Sequence, residues 1–308
     1  MKHNAKIEQL LKILVSPDNN ELALHFNSET KCLETATGLQ YNVVNEIPIL
    51  IPVKNHAEIS AEAQVHKKLD TKFNYAEHYE ADAKHFDYFT EFSGAFRNEL
   101  QRLHQTIINN ISAQNITILD VGCGNAWLAN HFCNKNNKVV SMDISTVNPL
   151  KAIQKVPSDN HFAVTADVFH LPFKREAFDY IVASEILEHV TNPKLFVENL
   201  INILKPKGKL IITTPYNEKL KFELCVHCNR PTPHNAHIHS FTEKDFAYLC
   251  PTNAKIMKID VFMNKILVKL RTHFFTKYFS FFIWKTWDKF FNFFIKKQSR
   301  ILVIFQKE

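Results

Sequence analysis

The sequence predicts an α/β protein with a doubly wound, mostly parallel sheet in its second two-thirds. Three observations predict it. From about residue 106 the chain alternates short strand-like runs with helical patterns, which is how βαβ units are written. The first of those strands are almost wholly apolar, as expected where both faces of a sheet are covered. A glycine pair, Gly122 and Gly124, directly follows the first strand and opens a helical stretch, AWLANHFC.

Five strands are predicted in the first part of this region: ITILDV (116–121), KVVSMD (138–143), HFAVTAD (161–167), FDYIVAS (178–184) and KLIITT (209–214). Asn192 before Pro193 is an N-cap with proline at the first helical position, so KLFVENLINILK should be a helix. Lys205-Pro206-Lys207-Gly208 should stop it. KIMKIDVFM and RILVIF (300–305) supply a sixth and a seventh strand, with an insert over 265–299 between them. Upstream, residues 1–56 are expected to form a small α+β domain. Residues 57–105 are expected to be a helical linker or lid, and 106–308 the main domain.

The chain has 308 residues, 45% hydrophobic and 22% charged, with a formal net charge of +6. That composition suits a globular protein with ample core and gives only weak support for an anionic partner. The N-terminal stretch MKHNAKIEQLLKILVSPDNN lacks the apolar core of a secretory signal. No uncharged apolar run is long enough to span a bilayer. A cytoplasmic, reducing location is therefore expected, in which paired cysteines point to metal before disulfide.

Glycine is scarce, with five in the chain, so two of them at one turn are informative. A Gly-x-Gly turn alone is a weak signal, and its third position here is Ala126. The acids at the strand ends strengthen it. Asp143 closes the second strand, Asp167 the third, and Ser184-Glu185 the fourth. All lie on the carboxyl edge of the sheet, where open α/β sheets bind ligands at the switch in strand order.

ILDVGCGNAWLA, VVSMD, ADVFHLPFKREAFDYIVASEILEHVTNP and LINILKPKGKLIITTPYNE occur in that order. The series resembles class I S-adenosylmethionine-dependent methyltransferases, especially the ubiquinone-biosynthesis branch. The match covers about residues 106–250; one departure is Lys207, where the family usually carries glycine. The resemblance implies a seven-stranded Rossmann-like methyltransferase fold with S-adenosylmethionine as cofactor. It implies that Asp120, Gly122, Cys123 and Gly124 hold the methionine moiety, and Asp143 with Ile144 the ribose. Asp167 and Val168 would frame the adenine, with Ser184 and Glu185 beneath the sulfonium. A dinucleotide oxidoreductase is the structural rival, but it expects a third glycine where Ala126 and Trp127 stand.

Methyl transfer needs an aligned nucleophile and excluded water more than a large catalytic set. His189, in ILEHV, is the first candidate base; Glu185 and Tyr216 are further candidates. The run TTPYN (213–217) looks like the motif of amino-methylating enzymes, but it follows strand five, not strand four. An O or C acceptor on a small molecule, glycan or lipid-linked substrate is therefore expected. The alternatives are an RNA methyltransferase and a non-catalytic scaffold of the same fold. Nucleic acid is disfavoured because no RNA-binding module is recognisable.

Cys225, Cys228, His237 and His239 form a C-x₂-C…H-x-H set after strand five that could hold zinc. A His-rich acceptor loop with two free thiols is the plainer reading. LLKILVSP…GLQYNVVNEIPILIP resembles the frame of small zinc-ribbon domains. Where those carry cysteine pairs, this chain has Ser16, Asn19, Glu34 and Thr37, so no zinc is expected there.

The span 271–297 holds nine Phe, two Trp and six Lys or Arg against one acid, Asp288. On a helix, Lys285, Asp288, Lys289, Asn292 and Lys296 form a polar face, with Ile283, Trp284, Trp287, Phe290, Phe291 and Phe294 opposite. Such a helix suits either packing on the domain or contact with the inner surface of a membrane. Oligomeric state is not encoded in any motif found.

Overall fold

The computed structural model describes residues 2–53, 64–65, 71–112, 114–227 and 229–308. Seven strands form the expected centre: β7 (Thr117–Val121), β8 (Lys138–Asp143), β9 (His161–Ala166), β10 (Phe178–Ser184), β11 (Leu204–Pro215), β14 (Ala254–Asn264) and β15 (Gln298–Lys307). Their spatial order is β9-β8-β7-β10-β11-β15-β14. The first five run parallel; β15 runs antiparallel to both β11 and β14. The order reverses at β7, which puts the switch point at the end of the first strand.

Four N-terminal strands extend this sheet, while β5 (Gln64–Val65) and β6 (Thr71–Lys72) pair as a separate two-stranded ribbon within the stretch expected to be helical. β1 (Leu24–Asn27), β2 (Cys32–Thr35), β3 (Gln40–Val44) and β4 (Ile47–Leu50) form a meander. β4 then pairs parallel with β9, Ile49 opposite Thr165 and Leu50 opposite Ala166, giving eleven strands in all. The sequence suggests a separate small domain here, whereas its strands complete the edge of the main sheet. The reason is physical: β9 would otherwise present an unpaired edge, and Ile47 and Leu50 are apolar enough to be buried beside it. Further polar bonds tie the unit in. Ser16 is fully buried against the Tyr41 hydroxyl at 2.7 Å, and that hydroxyl donates to Asp18 at 2.7 Å.

Alternation along the strands divides the core into two. Leu119, Val140 and Val303 face one cluster, which also takes Ile7 and Leu10 of α1 (Lys2–Leu11). Ile118, Val139 and Leu302 face the other. α3 (Gly94–Ile108) covers that second face with Leu103 and Ile107. α2 (Tyr75–His85), capped by Asn74, lies over the carboxyl edge of the sheet. α5 (Val147–Lys155) packs on β8 and β9. α6 (Pro193–Ile203) starts at the Asn192 cap as expected, β11 begins at Leu204 where the helix stops, and α7 (Glu243–Leu249) precedes β14.

The 265–299 insert folds as α8 (Lys265–Lys269), α9 (His273–Thr276) and α10 (Phe281–Phe294). Its orientation corrects the expectation from helical periodicity. Part of the polar face turns inward: Asp288 and Asn292 are buried, while Phe282, Phe293 and Phe294 are exposed. Asp288 accepts the backbone N–H groups of Met263 and Asn264, both at 2.9 Å, where β14 leaves the sheet. Asn292 donates to Asp288 and accepts from Asn264. Two backbone donors without strand partners thus dictate which side of the helix faces the protein, against the usual apolar-inward rule.

Candidate functional site

The turn after β7 is built for close approach. Gly122 has φ of 68°, and its N–H donates to the Met142 carbonyl at 2.8 Å. A Cβ there would meet Ile186 Cδ1 at 2.2 Å, so the position admits only glycine without repacking. Gly124 (φ 42°) and Ala126 (φ 58°) are also left-handed, and α4 (Trp127–Phe132) starts immediately afterwards. Cys123 is buried between the glycines, and burial holds its thiol well above the ordinary range.

The acids expected at the strand ends share this edge. Asp120 is buried, and one carboxylate oxygen, Oδ2, has no hydrogen-bond partner among the described residues. Burial, with the nearby Asp143 charge, lifts its pKa to about 8. Asp143 accepts from the Ser145 N–H at 2.9 Å and from the Asn148 side chain at 3.1 Å. Burial raises its pKa too, and these hydrogen bonds oppose the rise. Ile144 follows it, half-buried. Asp167 caps the short 3-10 turn Val168–His170 by accepting from the Phe169 N–H at 2.9 Å. An orphaned buried carboxylate oxygen and a cradle that a Cβ would fill are what a bound amino-acid moiety requires, so the residues present fit S-adenosylmethionine.

α2 closes over this edge and supplies residues that the sequence did not announce. Tyr75 donates to Asp167 at 2.5 Å, and Glu80 accepts from the backbone and hydroxyl of Thr146 beside Asp143. The Tyr79 ring packs edge-on to His189 at 5.9 Å, and its buried hydroxyl has no hydrogen-bond partner among the described residues. The sequence marks this stretch as helical without singling out these side chains; the Asn74 cap is seen in the structure.

Beyond β10 the chain makes a tight turn with Glu185 at φ 58° and a 3-10 turn at Leu187–His189. Ser184 shares a hydrogen bond with Thr213 at 3.0 Å. Arg300 of β15 pairs its Nε with Glu185 at 2.7 Å. Glu188 is buried and accepts from the Thr214 hydroxyl at 2.9 Å. Burial first, and the Glu185 charge second, hold the Glu188 carboxyl far above the usual carboxylate range. Burial raises Glu185 as well, with Arg300 opposing.

His189 sits against these acids. Its Nδ1 lies 3.2 Å from the Ala236 carbonyl, so Nδ1 carries the proton and donates, which leaves a lone pair on Nε2. Nε2 is 4.0 Å from Glu188. Burial, followed by His237, lowers the His189 pKa to about 4, so the ring is neutral near pH 7. His237 stacks edge-on to it at 4.9 Å and donates Nδ1–H to Glu218 at 2.6 Å. The Tyr216 hydroxyl is committed to Glu243 at 2.9 Å.

The expected zinc ligands do not gather as a set among the described residues. Ligand atoms of Glu188, His189 and His237 lie within 4.8 Å of one another, and these three could hold a cation. Cys225 belongs instead to the hairpin of β12 (Phe222–Leu224) and β13 (Pro231–Pro233), its N–H donating to the Arg230 carbonyl. His239 donates its backbone N–H to the Glu188 carbonyl. Cys228 lies outside the described residues. The hairpin's own hydrogen bonds fix where Cys225 sits, which cysteine spacing alone does not reveal.

A family described as a methyltransferase domain matches residues 88–252. Ubiquinone biosynthesis O-methyltransferase of Chelativorans sp. is 34% identical over 112 residues, 35% of this chain and 43% of that protein. The mitochondrial protein of that description from Dictyostelium discoideum is 30% identical over 118 residues, 34% of this chain and 37% of its own length. The chain thus spans well under half the length of these relatives. Among solved structures, an S-adenosylmethionine-dependent methyltransferase from Listeria monocytogenes aligns with a TM-score of 0.51 at 12% identity, covering 68% of this chain and 99% of that one. The [4+2]-cyclase SpnF aligns equally well, TM-score 0.51 at 14% identity over 71% of this chain and 84% of its own. These structural likenesses show the fold alone, and one fold hosting two chemistries leaves function to the site.

Proposed function

The chain belongs to the methyltransferase-domain family, and from that premise we propose that it transfers a methyl group from S-adenosylmethionine to a hydroxyl oxygen of a small-molecule acceptor. The observation that carries the reading is the neutral His189, with its Nε2 lone pair beside the strand-end acids.

S-adenosylmethionine, when bound, supplies a methyl group already activated by its sulfonium. Asp120, Gly122, Cys123 and Gly124 would hold the amino-acid moiety, the orphaned Asp120 Oδ2 accepting from its ammonium. Asp143 and Ile144 would hold the ribose. Asp167 and Val168 would frame the adenine, with Ser184 and Glu185 forming the floor. α2 excludes water from this edge through Tyr75 and Glu80. His189 takes the acceptor's hydroxyl proton at Nε2, while the Ala236 carbonyl holds its ring in the right tautomer. The buried Tyr79 hydroxyl has a hydrogen bond to give and lies against that ring. Glu185 shapes the floor through Arg300 and needs no proton-transfer role; Tyr216, bound to Glu243, has none. The O-methyltransferase names of the relatives support oxygen as the acceptor atom. Transfer of labelled methyl from S-adenosylmethionine to a panel of hydroxylated aromatics, polyols and lipids tests the reading. Transfer by the wild type that falls at least about a hundredfold in His189→Gln supports it. Equal transfer by both proteins removes His189 from the chemistry.

Zinc at Cys225, Cys228, His237 and His239 forms no part of this proposal, because the described members of that set do not gather. No helix among the described residues is long and apolar enough to cross a membrane. A cytoplasmic site of action at a membrane's inner face, on an amphiphilic acceptor, is the reading that the aromatic insert supports.

A further inference from the structure

Among the described residues, helix α10 presents an aromatic face that no other element covers. Phe282, Phe290 and Phe293 are 74%, 57% and 78% exposed, with Ile283 and Phe294 beside them. These positions fall on one arc of the helix, opposite the buried Trp284, Asp288 and Asn292. Phe274 extends the surface from α9. An apolar surface of this kind ordinarily marks an interaction site.

Its charge selects the occupant. Residues 265–297 contain eight Lys or Arg and one acid, Asp288, which is buried. Lys277, Lys289, Lys296 and Lys297 are exposed, so the aromatic face is set among cations with no carboxylate of its own segment at the surface. Two copies docked face to face about a two-fold axis would set like charges against each other. An anionic bilayer satisfies both features at once: phosphate headgroups meet the cations, and Phe rings enter the headgroup–acyl boundary. The surface is also held in place before any contact. Arg102 of α3 donates to the Thr276 and Phe279 carbonyls at 2.6 and 3.0 Å, and its guanidinium lies 5.2 Å from the centre of the Trp284 ring.

We propose that α9 and α10 dock the protein on an anionic lipid surface, with α10 in the interface plane and its Phe282–Phe290–Phe293 face buried in lipid. This inference stands apart from the methyl-transfer reading, because its test reads vesicle binding and not methyl transfer.

Flotation of the full chain with phosphatidylcholine vesicles, and with mixed phosphatidylcholine–phosphatidylglycerol vesicles, tests it. The chain should float with the mixed vesicles, more weakly with phosphatidylcholine alone, and less as salt is raised. Phe282→Ser/Phe290→Ser/Phe293→Ser should cut vesicle-bound protein at least about tenfold. Lys289→Glu/Lys296→Glu should abolish the preference for the anionic lipid. Both variants alter exposed positions and should keep the wild-type circular dichroism and melting temperature. Absence of flotation by the intact chain overturns the proposal, as does flotation unchanged by the triple Phe variant. A dimer that the triple variant dissolves, without vesicle binding, assigns the face to self-association and also overturns it.

Discussion

Removing Arg300 should destabilise the protein in a pH-dependent way. Its Nε lies 2.7 Å from Glu185, with only 27% and 25% of the two side chains exposed. Burial already raises the Glu185 carboxyl, and Arg300 is the main opposing influence. Glu188, buried nearby, adds repulsion. In Arg300→Leu the carboxylate loses its counter-charge, and Glu185 shifts further up. Breaking a fully buried pair costs about 3–5 kcal/mol; allowing for the partial exposure here, about 1–3 kcal/mol is expected. The sign follows from linkage. A carboxyl whose pKa is raised on folding binds more protons folded than unfolded, so stability falls as pH rises from its unfolded value to its folded one. The loss relative to wild type should therefore be smaller at pH 5 than at pH 8. Thermal melts of both proteins at the two pH values measure it. An equal difference in melting temperature at both would refute the argument that Arg300 offsets a buried charge.

Further outcomes follow from the same geometry. His189→Gln should leave cofactor affinity unchanged while lowering turnover, and the wild-type rate should show no titration near pH 6.5, because His189 titrates near 4; a rate profile with its acid limb at 6.5 contradicts that placement. Gly122→Ala should weaken S-adenosylhomocysteine binding at least about tenfold, because the alanine strains a left-handed turn at roughly 1–2 kcal/mol and displaces Ile186; calorimetry reads it. Asp288→Ala strands two buried backbone donors and should cost about 2–5 kcal/mol in urea unfolding, whereas exposed Lys289→Ala should cost under about 0.5 kcal/mol.

Much of the central sheet was legible because its strands are apolar on both faces and bounded by turn residues. The extent of β8 and β10 agrees with their apolar runs residue for residue. The glycine turn and its acids were legible because one local βα unit holds Asp120, Gly122 and Gly124 together. What stayed hidden depends on partners far along the chain. Leu50 meets Ala166 across 116 residues, so nothing local announces that the N-terminal meander joins the main sheet. Arg300 reaches Glu185 only because β15 folds back along β11 after a long insert. Helical periodicity split α10 into a polar and an aromatic face, but the buried side draws on both, Trp284 together with Asp288 and Asn292, because two backbone donors at the end of β14 hold Asp288 inward. Cysteine spacing likewise gave ligand types without saying where the β12–β13 hairpin would carry Cys225.

The central claim is that the carboxyl edge around Asp120, Gly122 and Asp143 binds S-adenosylmethionine. Calorimetric titration of the wild type and Asp143→Ala with S-adenosylmethionine and S-adenosylhomocysteine tests it most directly. The account predicts saturable one-to-one binding of both by the wild type, reduced at least about tenfold in the variant, as expected when a buried carboxylate loses its hydrogen bonds to a ligand. No binding by folded wild-type protein, or equal binding by the two proteins, would contradict it.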